Sequence, residues 1–162
     1  PKSIVEYGSG MTTLLMSTIL EDLNYGGSIN TFEDDHKYYS LGESTGLYSK
    51  MNGKNKIELT PVVISDKKQC YYDHNINKID SVDFVLDDGP NINKYNCDAS
   101  INMIMLQEHF KKPFSFLIDG RIRQQKFYQS KYGDKVKQSW IGIDKKTNFL
   151  REDGYKCGIG TI

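Results

Sequence analysis

The chain has 162 residues, enough for one domain with its own core and too few for two. Lys plus Arg equals Asp plus Glu at 21 each, so the broad positive field that nucleic-acid binding relies on is missing and a small-molecule partner fits better. No apolar run reaches the roughly 20 residues that cross a bilayer, no secretory leader is visible, and Cys70, Cys97 and Cys157 lack both disulfide and zinc spacing, all of which read as cytoplasmic.

In chain order, Ile4–Tyr7 is a short apolar strand that runs into the turn Gly8-Ser9-Gly10. A helix follows from about Thr12 to Leu23, with Leu14, Leu15, Ile19 and Leu23 as its apolar stripe, and Asn24-Tyr25-Gly26-Gly27 ends it. Ser28–Glu33 is a second strand. Asp34 and Asp35 stand where N-terminal caps belong, opening a helix toward Lys50 that Gly42 and Gly46 interrupt. Ile57–Ile64, rich in β-branched residues, is a third strand, and residues 65–81 are polar without clear periodicity. Val82–Asp87 is an apolar run suited to a central strand, ending in Asp87-Asp88-Gly89-Pro90.

A helix is expected from about Asp98 to Phe110, with Ile101, Ile104 and Met105 on its buried side, then a strand over Phe114–Ile118 ending in Asp119-Gly120. Arg121–Tyr132 is a basic helix. Val136–Ile143 and Phe149–Ile162 are strands with too few residues between them for a crossover helix, so they pair as an antiparallel hairpin. The pattern predicts an α/β fold: a Rossmann-like doubly wound sheet, mostly parallel, with a C-terminal antiparallel hairpin, spanning 1–162 as a single domain.

The glycine turn is the first chemical signal. Gly8 and Gly10 let a ligand lie against bare backbone, and the free N–H groups of the following helix point into the same space. A dinucleotide fingerprint would place a third glycine where Thr13 stands, which weakens a nicotinamide reading. The motif Glu-x-Gly-x-Gly-x-Thr-Thr, from Glu6 to Thr13, instead resembles the first motif of the class I S-adenosylmethionine (SAM) dependent methyltransferases. That resemblance implies the class I methyltransferase fold and SAM as cofactor, with Glu6 directed to its methionine end and Gly8, Ser9, Gly10 and Thr12 around it. Glu33, at the end of strand two, is then the acid for the ribose hydroxyls, with Asp34 beside it, and Asp66 in Ser65-Asp66 stands where the adenine amino group is met.

Asp83-Phe84-Val85-Leu86-Asp87-Asp88-Gly89 resembles the fourth-strand motif of many O-methyltransferases, which directs Asp88 to the methyl-transfer centre with Asp87 as an extra acid beside it. Ser115–Arg121 repeats the strand with an Asp-Gly ending, and a doubly wound order sets Asp119 next to Asp88. Such paired carboxylates either share a proton or bind a hard cation, Mg²⁺ or Mn²⁺, that would hold and acidify a hydroxyl. Arg121, Arg123 and Lys126 follow at the mouth of the same cleft, placed for an anionic or polyhydroxylated substrate or simply forming a solvated basic face.

Together these features point to an O-methyltransferase acting on a carbohydrate or other small polar acceptor, with no nucleic-acid partner. Tyr38, Tyr39, Tyr71, Tyr72 and Tyr95 are available as flat surfaces for sugar rings. The competing readings are a nucleotide-dependent oxidoreductase and a non-catalytic SAM-fold module of a larger glycan-assembly protein. Most methyltransferases of this class carry extra helices before strand one, and the start at Pro1 is expected of a trimmed chain.

Overall fold

The computed structural model describes residues 1–24, 26–46, 48, 54–119, 121–143 and 150–162, with backbone alone for 137–143 and 150–159. A seven-stranded sheet runs through it, built from β1 (Ser3–Tyr7), β2 (Ser28–Glu33), β3 (Lys56–Leu59), β6 (Phe84–Asp87), β8 (Ser115–Ile118), β9 (Val136–Ile143) and β10 (Leu150–Thr161). Their order across the sheet is β3-β2-β1-β6-β8-β10-β9. The first five are parallel, and β10 is antiparallel to both β8 and β9. Strand order reverses between β1 and β6, and that switch point is where an open α/β sheet leaves a crevice at the strands' carboxyl ends.

Among the described residues four α-helices connect the strands: α1 (Met11–Asp22), α2 (His36–Ser44), α3 (Asn102–Phe110) and α4 (Ile122–Tyr132). The main core joins Val5, Tyr7, Val85, Phe116 and Ile118 of the sheet to Met103 and Leu106 of α3 and Tyr128 of α4. A smaller cluster, Ile4, Ile29 and Leu20, seats α1 on the other face.

Several elements differ from the sequence expectation, each for a local reason. The strand expected over Ile57–Ile64 breaks at Thr60-Pro61, because proline has no N–H to give a ladder. Its second half becomes β4 (Val62–Ile64), which leaves the main sheet to pair with β5 (Gln69–Tyr72), and β5 pairs in turn with β7 (Ala99–Ser100). The unassigned polar stretch therefore contains a strand, and the helix expected from Asp98 begins only at Asn102 because residues 99–100 are spent on β7.

α2 opens after Asp35, whose carboxylate accepts the Lys37 N–H at 2.9 Å, and it ends at Ser44; Leu47 and residues 49–53 lie outside the described residues, as do Tyr25, Gly120 and Phe149. The expected apolar stripe of α1 is inverted: Leu15, Ile19 and Leu23 are exposed, while Thr13, Ser17 and Leu20 are buried. Polar anchors set that rotation. Thr13 Oγ1 donates to Glu6 at 2.6 Å and Ser17 Oγ accepts Asn55 Nδ2 at 2.5 Å, and each buried hydroxyl needs its partner more than an exposed leucine needs cover. Cys70 and Cys97 are buried free thiols. Among the described residues no helix is long and apolar enough to cross a membrane.

Candidate functional site

A cleft of about 380 Å³ opens at the switch point, within the size range of small-ligand sites. Its floor is two loops in backbone contact, the turn after β1 and the turn after β6. Gly8 sits there at φ +90°, a conformation closed to most residues, and a Cβ on it would lie 2.9 Å from the Asp88 carbonyl oxygen. A Cβ on Gly89 would lie 2.9 Å from the Gly8 nitrogen, so both glycines are required by the same approach. Gly10 differs, because a Cβ there would meet nothing within 4 Å. The space in front of Gly10 is open, although Gly10 itself does not line the cleft.

Glu33 lines one side of the cleft, 4% exposed. Its Oε2 accepts both the Ser9 N–H at 2.8 Å and the Ser9 hydroxyl at 2.7 Å, and Oε1 accepts the Asp35 N–H at 2.8 Å. A carboxylate offers about four acceptor positions, so Oε1 keeps room for an incoming hydroxyl. A second one would have to displace the Ser9 hydroxyl, which already contacts the Tyr48 hydroxyl at 3.0 Å. Glu33 is thus held in place by backbone N–H groups while still able to take a vicinal diol.

Asp34 also borders the cleft, but as a tie. Tyr72 donates to its Oδ1 at 2.7 Å, while Tyr95 at 2.6 Å and Lys94 at 3.1 Å reach Oδ2. Lys94 bridges onward to Asp35 at 3.2 Å. These bonds fasten the loop after β6 to the start of α2, across the cleft's outer rim. Tyr72 comes from β5, so the strand hidden in the polar stretch supplies part of the wall. Tyr38 lines it from α2.

Asp88 and Asp119 end β6 and β8. Asp88 lines the cleft; its carboxyl hydrogen-bonds that of Asp119 and accepts Arg121 Nη2 at 3.0 Å. Arg121 also donates to the Asp88 carbonyl, and its Nη1 reaches the Pro90 carbonyl at 2.6 Å. Burial pushes the Asp88 carboxyl up to about 6; the Arg121 guanidinium pulls it down and neighbouring Asp119 raises it. The two acids converge at the expected place. Among the described residues no three His, Cys, Asp or Glu side chains gather to hold a metal, and the cation beside Asp88 is an arginine.

Five predicted residues fall elsewhere. Glu6 is fully buried behind the turn; its carboxylate accepts Thr12 at 2.7 Å, Thr13 at 2.6 Å and Thr31 at 2.8 Å, so Glu6 and Thr12 brace the turn and do not line the cleft. Burial pushes Glu6 upward, with the three hydroxyls opposing it. Asp87 turns the other way from Asp88, as strand alternation requires, into the core with Tyr7 and Tyr128 around it. Neither of its carboxyl oxygens makes a well-formed hydrogen bond, and burial lifts it to about 7 against the pull of Arg121. Asp66 is exposed in the β4–β5 turn and does not line the cleft. Arg123 faces a neighbouring cavity.

Sequence reasoning missed Lys94 and Asn91 in the wall, and the packing of His74 against the ends of β1 and β2. The His74 ring stacks on Phe32 at 4.1 Å, and Nε2 meets the Tyr7 hydroxyl at 3.1 Å. A lone histidine in a polar loop carries no sequence signal of that burial.

No protein-family model matches the chain, and no curated protein matches it in sequence. Solved structures do match in shape. A candidate O-methyltransferase from Klebsiella pneumoniae superposes with a TM-score of 0.57 at 11% identity, over 98% of this chain and 71% of that one. The methyltransferase domain of bacterial CtHen1 gives 0.54 at 12%, over 99% and 90%. A candidate precorrin-6Y C5,15-methyltransferase domain from Corynebacterium diphtheriae gives 0.52 at 5%, over 100% and 87%. The likeness is one of architecture: the chain has the class I SAM-dependent methyltransferase fold.

Proposed function

We propose that this chain is a SAM-dependent O-methyltransferase acting on a hydroxyl of a small polar acceptor, a carbohydrate among the candidates. The observation that carries the reading is the carboxyl pair Asp88 and Asp119 after β6 and β8, with Asp88 lining the same cleft as Glu33. The cradle suits SAM: open space before Gly10, an acceptor position left on Glu33 for the ribose, and a ring, Tyr38, on the wall. SAM supplies a methyl group already activated on sulfur, so the protein's task is to align the acceptor and take its proton.

Asp88 is the group for that proton. A carboxyl near 6 is ionised at neutral pH yet more basic than an ordinary aspartate, so it accepts a hydroxyl proton as the oxygen gains the methyl group. Arg121 fixes its orientation and Asp119 tunes its affinity for the proton. The proton transfer is assigned to Asp88 without a divalent cation, because Arg121 already occupies Asp88 Oδ1 and among the described residues no three acidic or metal-ligating side chains gather.

Calorimetry with S-adenosylhomocysteine (SAH) and with NADH, followed by transfer from labelled SAM to a panel of hydroxylated acceptors, tests the reading. SAH binding and chelator-resistant transfer are expected. Binding of NADH in place of SAH would favour the oxidoreductase, and SAH binding without turnover would identify a non-catalytic module.

A further inference from the structure

A second cavity, of about 440 Å³, adjoins the cleft, with Asn91 and Arg121 as a shared wall and Ile92, Asn93, Ile122 and Arg123 completing it. The two differ in charge. Glu33, Asp34, Asp35 and Asp88 outnumber Lys94 and Arg121 around the first, whereas the lining of the second holds two guanidiniums and no carboxylate.

Arg123 is held from behind, its Nη2 donating to the Cys97 carbonyl at 2.8 Å and its Nη1 to Asn93 Oδ1 at 3.3 Å. Its approach to Asp98 is loose, 3.6 Å between side chains 56% and 72% exposed, and such surface pairs neutralise little. The charge of Arg123 is positioned without being cancelled. Local sequence adds to the field: α4 opens on Arg121-Ile122-Arg123 with no side-chain cap and no acid in its first turn. Helix starts favour anions; Arg121 is already paired with Asp88, so Arg123 is the cation there whose conflict an anion in the cavity would relieve.

We propose that the second cavity anchors the acceptor through an oxyanion, a phosphate or carboxylate that the acceptor carries, so that its hydroxyl reaches Asp88 from the Arg121 side. A planar guanidinium with several N–H groups matches the oxygens of either anion. This inference rests on the methyltransferase reading and narrows its substrate to anionic hydroxylated molecules, sugar phosphates or sugar acids for example. The acidic cleft and the basic cavity then divide two molecules between them.

The test is a nitrogen-15 NMR titration of the full chain with inorganic phosphate and, separately, with glucuronate, alongside SAH calorimetry. Amide signals of Asn91, Asn93, Ile122 and Arg123 should move and saturate; the anion that binds tighter shows whether a phosphate or a carboxylate is preferred. Arg123→Gln should weaken that binding at least tenfold, Arg123→Lys less, with SAH affinity unchanged in both. The proposal is overturned if those signals stay still or respond equally in Arg123→Gln. It is also overturned if the anion settles only in the lysine-lined cavity at the opposite strand ends, beside Lys2, Lys54, Lys56 and Lys78. Loss of SAH binding alone would sink the methyltransferase reading, while the anion site is measured independently of it.

Discussion

At the ends of β1 and β2, Glu6 and Glu33 each accept three hydrogen bonds. At the ends of β6 and β8, Asp87 makes none of good geometry, and Asp88 divides its carboxyl between Asp119 and Arg121. The contrast separates two uses of a buried acid. A carboxylate held by three hydrogen bonds is a fixed feature of shape, and it holds the turn that a ligand will lie on. Burial lifts Asp87 and Asp88, with too few donors to offset it, toward the neutral range in which proton transfer works.

The largest expected effect is at Asp88. Asp88→Asn nearly preserves shape but cannot take a proton, so methyl transfer should fall by ~10²-fold or more, the scale of a lost general base, with SAH affinity little changed. In the wild-type chain the rate should climb through pH 6 and level above it, following the raised carboxyl. A variant with full activity, or a rate indifferent to pH in that range, would place the proton acceptor elsewhere.

Asp87 sharpens the comparison through stability. Its folded value near 7 lies above the usual carboxylate range, so the folded state holds a proton that the unfolded chain releases. Stability contributed by Asp87 is therefore lost as pH rises from about 4 to about 7, by up to ~4 kcal/mol, because each tenfold difference in proton affinity between the two states is worth about 1.4 kcal/mol. His74 runs the other way: burial pushes it down to about 4, so stability is lost as pH falls from 6.5 toward 4. The two slopes oppose each other in the wild-type chain. Asp88, raised to about 6, and Glu6, also pushed upward, share the Asp87 slope, so Asp87→Asn should flatten the fall in urea midpoint between pH 4 and 7 and should raise stability above pH 7. A curve parallel to wild type would mean that Asp87 has a partner.

Much of this was legible in the chain. Glu33 and Asp88 follow apolar strands, and strand order alone brings Asp88 to Asp119. The opposite directions of Asp87 and Asp88 follow from strand alternation, yet two adjacent acids after an apolar run read as one functional pair. Glu6 misleads for a different reason: its partners lie on two other elements, Thr12 and Thr13 on α1 and Thr31 on β2, and only packing shows that three hydroxyls converge on it. β5 escaped notice because Gln69–Tyr72 is short and its neighbours are polar, although Pro61 already signalled that the preceding strand had to break.

Glu33→Ala probes the satisfied side of the comparison at the ligand. It removes a charged acceptor meant for the ribose and should weaken SAH by ~1.5 to 3 kcal/mol, measured by calorimetry. It also frees the Ser9 N–H and hydroxyl, so part of any loss belongs to the turn; Glu33→Gln, which keeps one acceptor oxygen, should fall between the two.

The smallest effect is expected at Thr12. Its hydroxyl donates to Glu6 Oε1 at 2.7 Å from an exposed residue, so Thr12→Val removes one of three donors while water can partly replace it. The cost should be ~0.5 to 1.5 kcal/mol of stability, seen as a lower urea midpoint. SAH affinity should change little, because Glu6 is buried behind the turn and its carboxylate does not line the cleft. Thr12→Ser, which keeps the hydroxyl, should recover most of the stability. The opposite pattern, affinity falling tenfold in Thr12→Val while stability holds, would move Glu6 from the brace to the ligand and erase the distinction drawn between it and Glu33.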